Sequence, residues 1–275
     1  MQVNITIIGD NPNYLTDPAV TLGLALNDLG CETFLSQNHI SDKHKNVMLG
    51  CHNLPDEYAV GFKERGLSWV AWQLEQLHDG NERSVDSFGA LRHADIVYDY
   101  DEGNLEILEE LGIIADLMPV GYHPGLRPEV EFEKEVDVFM AGCWRHRRKE
   151  IVDRLDGVHF AGVRNPVFGQ DLVEAVARSR VCLNIHHSGV NDPQEQARIT
   201  PLLAQGACVV SETSPHNIYG DGIVEARYGD LVDAVNELLK DEERMAKQRI
   251  LGLDAVKNID MKEIVKGGIG AYCTN

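Results

Sequence analysis

The sequence has little positive charge. Its 275 residues include 25 Lys and Arg against 44 Asp and Glu, which gives a formal net charge of −19 at pH 7. Such a chain repels nucleic acids and anionic membranes at long range. Any polyphosphate ligand therefore has to meet a local cluster of basic residues, because the chain as a whole does not attract it.

Cysteine pairs and long apolar runs are also missing. Six cysteines are scattered without a CxxC pair, and no apolar segment has the roughly 20 residues that a membrane-spanning helix needs. The chain starts with a strand-like run and lacks the charged and apolar regions of a signal peptide. We expect a cytoplasmic protein with no membrane partner, whose reduced cysteines are small core residues.

Short β-branched runs alternate with helical stripes along the chain, which is typical of βαβ units on a parallel sheet. The alternation stops in a proline-containing, acidic segment at 115–135 and then starts again. We therefore predict two Rossmann-like domains, 1–125 and 126–275, with a long helix over 228–253. The last helix is a candidate to pack back on the first domain, whereas three glycines within 267–270 predict a loosely held tail.

One short segment departs from the acidic background. The run VDVFMAGCWRHRRKEIVDRL is a strand that breaks at Gly142 and delivers arginines where a helix begins. A helix N-terminus already carries partial positive charge, so local stability does not explain more cations there. Backbone N–H groups, the helix dipole and the guanidinium groups of Arg147 and Arg148 together suit a diphosphate. The alternative is a solvated surface on which these arginines pair with acidic residues of the same helix.

Several segments, including this one, resemble a known family. DLVEAVARSRVCLNIHHS and EQARITPLLAQGACVVSE in the second half, and WVAWQLEQL, DIVYDYDEGNLEILEELGI and PVGYHP in the first, resemble GT-B glycosyltransferases of the bacterial and phage "group 1" type. The resemblance covers nearly the whole chain. It implies an α/β fold in which two Rossmann-like domains face each other across a cleft. It also implies a hexosyl- or pentosyltransferase that uses a nucleotide-diphosphate sugar as donor substrate, with no metal and no cofactor.

The resemblance also points to donor-binding residues in the second domain. In the family, a helix that begins near Glu195 presents a carboxylate to the ribose hydroxyls of the donor. Retaining members carry a Glu-x7-Glu pattern here, but Pro193 and Pro201 stand at those two positions. Glu195, with Arg198 one turn later, is therefore left to make the donor contact. The complete predicted donor-binding set is Gly142, Arg147, Arg148, His186, Glu195, Arg198 and Glu212.

The first domain offers candidates for the acceptor side. The loop IGDNPNYLTDP lacks the G-x-G-x-x-G of dinucleotide-binding proteins, and we expect it where the first sheet opens to the cleft. Glu75 and Asp17 are the candidate general bases that would remove the proton of the acceptor hydroxyl. The acceptor-side candidates are Asp10, Asn11 and Gln73. The DxD at 99–101 would hold a metal in a GT-A transferase, but the two-sheet pattern and the basic segment favour metal-independent chemistry.

Three function classes stay open at this point. The chain is a glycosyltransferase, a nucleotide-sugar epimerase of the same fold, or a nucleotide-sugar-binding protein without activity that lost the Glu-x7-Glu pattern. The acceptor of a transferase would be a small molecule, a glycan or, if the chain is phage-encoded and acts in the host cytoplasm, a hydroxylated or hydroxymethylated pyrimidine in DNA. The donor, the stereochemical outcome and the oligomeric state also stay open.

Overall fold

The computed structural model describes residues 1–10, 13–77, 88–126, 132–142, 146–163, 169–187, 189 and 192–274. They form two compact units, Met1–His123 with Asp260–Asn275, and Pro124–Ile259, below called the first and the second unit. The sequence assigns residues 260–275 to the domain 126–275, with the last helix as a candidate to pack back on the first domain. In the structure these residues lie with the first unit. Of the described helices, none is long and apolar enough to cross a membrane.

Strands and helices alternate through most of both units. The strands are β1 Gln2–Ile7, β2 Glu32–Gln37, β3 Lys45–Leu49, β4 Val70–Gln73, β5 Ile96–Asp99, β6 Asp116–Leu117, β7 Val136–Ala141, β8 Phe160–Val163, β9 Ser179–Asn184, β10 Val209–Glu212 and β11 Val224–Ala226. The helices are α1 Thr16–Asp28, α2 Asp56–Glu64, α3 Gly89–Arg92, α4 Glu102–Glu110, α5 His146–Asp153, α6 Gly169–Ala177, α7 Gln196–Ala204, α8 Leu231–Leu239, α9 Glu242–Lys257, α10 Met261–Lys266 and α11 Ile269–Thr274.

The first unit is built on a parallel sheet that helices cover on both faces. Its described strands have the order β2-β1-β3-β4-β5-β6. Successive residues of a strand face opposite sides of a sheet. Val47 and Leu49 of β3 therefore pack in one core with α1, α10 and α11, whereas Met48 packs in the other with α2, α3 and α4. Because β2 lies at the edge, its residues are largely exposed.

The tail after α10 is packed, which corrects the prediction of a loosely held tail. Ile269 and Cys273 of α11 are fully buried in the core of the first unit. Its glycines permit a close approach, because a Cβ at Gly268 would lie 2.8 Å from the hydroxyl oxygen of Tyr98. Burial of the apolar residues beside them offsets the conformational freedom that glycines lose on folding.

The second unit has its own parallel sheet. Its described strands have the order β11-β10-β9-β7-β8. Ile151 of α5 and Leu231 of α8 pack against Val138 and Met140 of β7 in the core of this unit. The sequence therefore builds two separate sheets, each with helices packed against it.

In each sheet the strand order reverses at one point. In the first unit, β2 lies on one side of β1 and β3 on the other; in the second, β8 lies on one side of β7 and β9 on the other. The described strand pairs are parallel, so the carboxyl ends of the strands lie along one edge of each sheet. Ligands of open α/β sheets bind at that edge, beside the reversal. The segments after β1 and β3, and after β7 and β9, are therefore the expected ligand-binding segments.

Candidate active site

The residue that follows β7 is Gly142, and residues with a side chain do not fit well at this position. Gly142 has φ +129°, a backbone conformation that residues with a side chain rarely adopt. A Cβ at this position would lie 3.0 Å from Arg148 Nη1 and 3.3 Å from Arg198 Nη2. Glycine therefore lets two guanidinium groups lie against the backbone at the end of β7. The structure brings these three predicted donor-binding residues together.

Arg147 lies in the first turn of α5 and is held by two neighbours. Its Nη2 donates a hydrogen bond to Glu212 Oε1 at 2.6 Å. Its guanidinium lies over the ring of Tyr228, 4.2 Å from the centroid, and the Tyr228 hydroxyl donates to the Arg147 carbonyl oxygen at 2.8 Å. Pairing with an acidic residue of the same helix is seen instead for Lys149, whose partner is Asp153.

Arg148 and Arg198 lie on either side of one carboxylate. Arg148 is buried, and its Nε donates to the carbonyl oxygen of Ile185 at 2.9 Å. Arg198 Nη1 donates to Asn184 Oδ1 at 2.8 Å. Their guanidinium nitrogens lie 3.8 Å and 3.9 Å from Glu195 Oε1. Charge attraction from two sides therefore favours the ionised form of Glu195.

His186 and Glu195 form a buried ion pair. His186 Nδ1 lies 3.0 Å from Glu195 Oε2, and Asn184 Nδ2 donates to the same oxygen at 2.8 Å. Burial opposes charge on the imidazole, but the hydrogen bond and charge of Glu195, with the charge of Glu212, outweigh it and raise the pKa of His186. Burial also opposes charge on Glu195, yet its bond to His186 and the charges of His186 and Arg198 lower its pKa to about 2. Glu195 is therefore an ionised hydrogen-bond acceptor at neutral pH.

Glu212, the last residue of β10, links two neighbouring segments. Its Oε1 accepts from Arg147, and its Oε2 accepts from the backbone N–H of His186 at 3.1 Å. Burial raises the pKa of Glu212, while the charges of His186 and Arg147 oppose that rise. Because both carboxylate oxygens have partners, Glu212 holds Arg147 in place beside the end of β9.

These side chains form one charged group at the carboxyl ends of β7, β9 and β10. We call it the strand-end cluster: Arg147, Arg148, His186, Glu195, Arg198 and Glu212. Its three guanidinium groups exceed its two carboxylates by one positive charge, and by two when His186 is charged.

Two buried atoms of the cluster have no hydrogen-bond partner among the described residues. They are the donor Arg147 Nη1 and the acceptor Glu195 Oε1. Leaving such atoms unpaired costs about 1–3 kcal/mol each, so native structures usually satisfy them. The strand-end cluster can therefore offer a donor to an anion and an acceptor to a hydroxyl group.

In the first unit, Glu75 follows β4 and meets two side chains that sequence reasoning missed. Its Oε1 accepts a hydrogen bond from the Tyr14 hydroxyl at 2.9 Å and lies 3.2 Å from His52 Nε2. Gln73 is fully buried, and its amide donates to the Glu75 carbonyl oxygen at 3.2 Å and accepts from the Leu74 N–H. Gln73 therefore shapes the turn that carries Glu75 and has no exposed surface.

The other acceptor-side candidates lie near the carboxyl end of β1. Burial raises the pKa of Asp17 in the first turn of α1. Asp10 lines a pocket of about 480 Å³ that is formed by the segments after β1, β2 and β3 and by Tyr58 and Phe62 of α2. The described lining residues of this pocket include no Lys or Arg. Asn11 lies outside the described residues.

One oxygen of each DxD carboxylate accepts hydrogen bonds from the residues at the start of α4. Asp99 Oδ1 accepts hydrogen bonds from the Asp101 N–H and from Asn104 Nδ2. Asp101 caps α4 by accepting from the Gly103 N–H at 2.9 Å. Across the described part of the chain, no group of three His, Cys, Asp or Glu residues is arranged to hold a metal ion.

Sequence reasoning also missed two residues of the second unit. Asn184 ends β9, so the reasoning that selected His186 at a strand end would have found it. No sequence pattern pointed to Tyr228, because it lies 81 residues from Arg147, the residue that it contacts.

Comparisons with known proteins give matches among solved structures. No protein-family model matches the chain, and no curated protein matches it. The chain is similar to an α-glucosyltransferase in complex with UDP and a 13-mer DNA containing an HMU base, with a TM-score of 0.69, 10% identity and 100% of both chains covered. It is similar to T4 phage BGT in complex with its UDP-glucose substrate, with a TM-score of 0.62, 12% identity and 100% of both chains covered. It is also similar to the DNA-modifying enzyme β-glucosyltransferase, with a TM-score of 0.54, 14% identity and 96% of both chains covered.

The chain has the GT-B fold. The likeness extends over the full length of both chains in the first two of these comparisons. The prediction of an α/β fold with two Rossmann-like sheets is confirmed, with six and five strands among the described residues. In this GT-B chain, the second sheet carries the strand-end cluster and the first carries Glu75, Asp17 and Asp10.

Proposed function

We propose that the protein is a glycosyltransferase that moves a sugar from a UDP-sugar to a hydroxymethylated pyrimidine in DNA. The observation that carries the proposal is the pair of unsatisfied atoms in the strand-end cluster, Arg147 Nη1 and Glu195 Oε1. A nucleotide-diphosphate sugar needs both, because its phosphates accept hydrogen bonds and its ribose hydroxyls donate them. UDP, UDP-glucose and DNA with an HMU base are the ligands of the similar structures, which supports this choice of substrates.

The donor is held through charge. We expect the guanidinium groups and the N-terminus of α5 to stabilise the negative charge that develops on the leaving diphosphate. Arg147 donates to the phosphate through Nη1, while Glu212 keeps its Nη2 in place. Arg148 and Arg198 add positive charge beside Gly142, whose missing side chain lets the diphosphate approach the backbone. These guanidinium groups supply the countercharge, so the reaction we propose is metal-independent.

Glu195 orients the nucleoside. Its pKa of about 2 means that it is fully ionised and accepts hydrogen bonds from hydroxyl groups at neutral pH. Its Oε2 is occupied by His186 and Asn184, which leaves Oε1 for the ribose. Glu195 is thus the carboxylate that contacts the nucleotide-sugar, although the sequence lacks the Glu-x7-Glu pattern of retaining enzymes.

The acceptor hydroxyl needs a base. Glu75 and Asp17 of the first unit are the candidates, and either would take the hydroxyl proton as the acceptor oxygen attacks the anomeric carbon. The net charge of −19 opposes long-range attraction of DNA. Recognition of a DNA acceptor therefore has to rest on local contacts with the modified nucleotide.

Product analysis tests the proposal. The protein is incubated with UDP-glucose and a duplex that contains HMU or hydroxymethylcytosine, and the digested nucleosides are analysed by mass spectrometry. We expect one hexosyl group to be added to the modified nucleoside and none in a matched duplex with thymine or cytosine. UDP-glucose recovered as another sugar isomer would indicate an epimerase, and binding without any turnover across a panel of donors would indicate a binding protein.

A thermal-shift screen identifies the donor before that experiment. A ligand at 100 times its Kd adds about 2.7 kcal/mol to the apparent stability of the protein. We expect uridine diphosphate sugars to raise the Tm more than adenosine or guanosine diphosphate sugars. Equal shifts with all nucleotides would contradict the choice of UDP.

A further inference from the structure

A second polar network lies in the first unit, where the strand order reverses. Tyr14 follows β1, His52 follows β3 and Glu75 follows β4, and β1 and β3 are the two strands between which the order changes. We call these residues the Tyr14–His52–Glu75 network. Its place at the carboxyl ends of the strands is the place where ligands of open α/β sheets bind.

The three side chains contact one another in a closed triangle. The Tyr14 hydroxyl donates to Glu75 Oε1 at 2.9 Å and lies 3.0 Å from His52 Nε2, which is itself 3.2 Å from Glu75 Oε1. When the Tyr14 hydroxyl donates to Glu75, the hydrogen bond between Tyr14 and His52 requires the tautomer with the proton on Nε2, which donates to the Tyr14 oxygen. The side chain of His52 is 4% exposed and that of Glu75 is 19% exposed. A buried histidine thus supports a carboxylate that solvent still reaches.

The main chain of Glu75 is fixed as well. Its carbonyl oxygen accepts from Asn104 Nδ2 at 2.9 Å and from Gln73 Nε2 at 3.2 Å. Asn104 is fully buried, and its Oδ1 accepts from the Leu77 N–H, so it closes the turn after β4. A surface carboxylate needs no such support on both its backbone and its side chain. A group that must meet a substrate atom in one orientation does need it.

We propose that Tyr14 and His52 are positioning residues that hold Glu75 as the general base of the transfer reaction. This inference rests on the proposed function. The acceptor oxygen forms the new bond to the anomeric carbon, and the bond from that carbon to the diphosphate oxygen breaks with its electron pair leaving on UDP. The hydroxyl proton passes to Glu75. Asp17, the other candidate base, has no hydrogen bond to its carboxylate from the described residues.

Kinetics of single-residue variants test this assignment. Tyr14→Phe removes the hydrogen bond to the carboxylate, and His52→Ala removes the side chain that contacts both Tyr14 and Glu75. We expect each substitution to lower kcat about 10- to 100-fold while the donor KM stays unchanged. Because the hydrogen bonding of the base changes, the acid limb of the kcat profile should shift. His52→Gln keeps a donor at this position and should recover part of the rate and of the acid limb.

A measurement without substrate separates this inference from the proposed function. The chemical shift of the Glu75 carboxyl carbon is measured at neutral pH by NMR in protein with ¹³C-labelled glutamate, and Glu75→Gln assigns the signal. We expect this signal to move in Tyr14→Phe, which loses the hydrogen bond to Oε1. An unchanged signal together with an unchanged acid limb would overturn the proposal, whereas absence of transfer by the wild type would overturn the proposed function itself.

Matched controls account for general effects of these substitutions. Tyr272→Phe removes a hydroxyl that lies 3.4 Å from Ser68 Oγ, and His93→Gln changes a histidine paired with Asp56 at 3.1 Å. Both should keep the pH profile of the wild type. A shift of the acid limb in these controls equal to that in Tyr14→Phe would show that the effect is not specific to the network.

Discussion

Arg147 and Arg148 are adjacent in the sequence, but their side chains have different surroundings. The Arg147 side chain is 21% exposed and keeps a donor that has no partner among the described residues. The Arg148 side chain is 3% exposed, and its Nε donates to a carbonyl oxygen. The sequence predicts the same role for both, since it shows that arginines start a helix but not which of them the helix buries. We therefore propose that Arg147 makes the direct contact with the donor, whereas the buried Arg148 supports the end of β9.

Alanine variants should separate these two roles. We expect Arg147→Ala to lose on the order of 2–4 kcal/mol of transition-state stabilisation. Its free energy of unfolding should also fall by about 1–3 kcal/mol, because the buried Glu212 Oε1 loses its partner. Arg148→Ala leaves buried acceptors unpaired, so its free energy of unfolding should fall by about 1–3 kcal/mol. Arg147→Lys should restore only part of the rate, because an ammonium group cannot reproduce the fixed fork of guanidinium donors. Equal stability and equal activity of both alanine variants would contradict the assignment.

The His186–Glu195 pair predicts a pH dependence of stability. The pKa of Glu195 is lowered from 4.5 to about 2, so its contribution is complete above pH 4.5 and is lost as the pH falls towards 2. The pKa of His186 is raised from 6.5, so its contribution is complete below pH 6.5 and is lost as the pH rises through the raised value. The stability difference between wild type and Glu195→Gln should therefore be greatest between these limits, on the order of 3 kcal/mol at most. Urea unfolding from pH 8 to pH 3 measures it, and a constant difference would be inconsistent with the pair.

Among the helices, the packing of α11 predicts an effect on stability that the sequence pattern does not. Ile269 of α11 is fully buried in the first unit, whereas Ile250 of α9 is 63% exposed. Ile269→Ala should lower the free energy of unfolding by about 2–5 kcal/mol, because it removes buried methyl groups and leaves a cavity. Ile250→Ala is the matched control and should change it by less than about 0.5 kcal/mol. Similar urea midpoints for the two variants would mean that α11 is not part of the core.

The sequence predicts the inner strands well and the element ends less well. Inner strands of a parallel sheet are continuous apolar runs, which is why β1, β3 and β9 are visible in the sequence. The single helix over 228–253 is wrong, because α8 ends and Asp241 caps α9 by accepting from the Arg244 N–H at 2.9 Å. An Asp followed by two Glu is a helix-start signal that the apolar stripe obscured. The short strands β6 and β11 gave no signal, since two or three residues carry no period.

The strand-end residues of the candidate site were predictable for the same reason. Glu195, Arg198 and Glu212 follow recognisable strands or begin a recognisable helix, and parallel topology brings such ends together. Tyr228 lies 81 residues from Arg147 in the sequence, and Glu75 lies 61 residues from Tyr14 and 23 residues from His52. Contacts of this kind depend on how the elements pack, which no local pattern contains.

For the whole molecule, the net charge of −19 sets the conditions for a DNA acceptor. We expect weak binding to unmodified duplex and a fall in affinity with rising salt that corresponds to only a few phosphate contacts, with a slope of about −0.9 per contact. Fluorescence anisotropy of labelled duplexes with and without the modified base, measured from low to physiological salt, gives this slope. Tight binding of unmodified DNA that salt does not weaken would argue against this account.

The central claim is that the strand-end cluster binds the nucleotide diphosphate of the donor. Calorimetric titration with UDP tests it on the wild type, on the double variant Arg147→Ala with Arg198→Ala, and on Arg178→Ala, a surface arginine that pairs with Glu135 and Glu174. We expect wild type and Arg178→Ala to bind UDP with the same Kd and the double variant to bind about 100-fold more weakly, a loss of about 2.7 kcal/mol. A double variant that folds and binds UDP with the wild-type Kd would show that the cluster does not hold the donor.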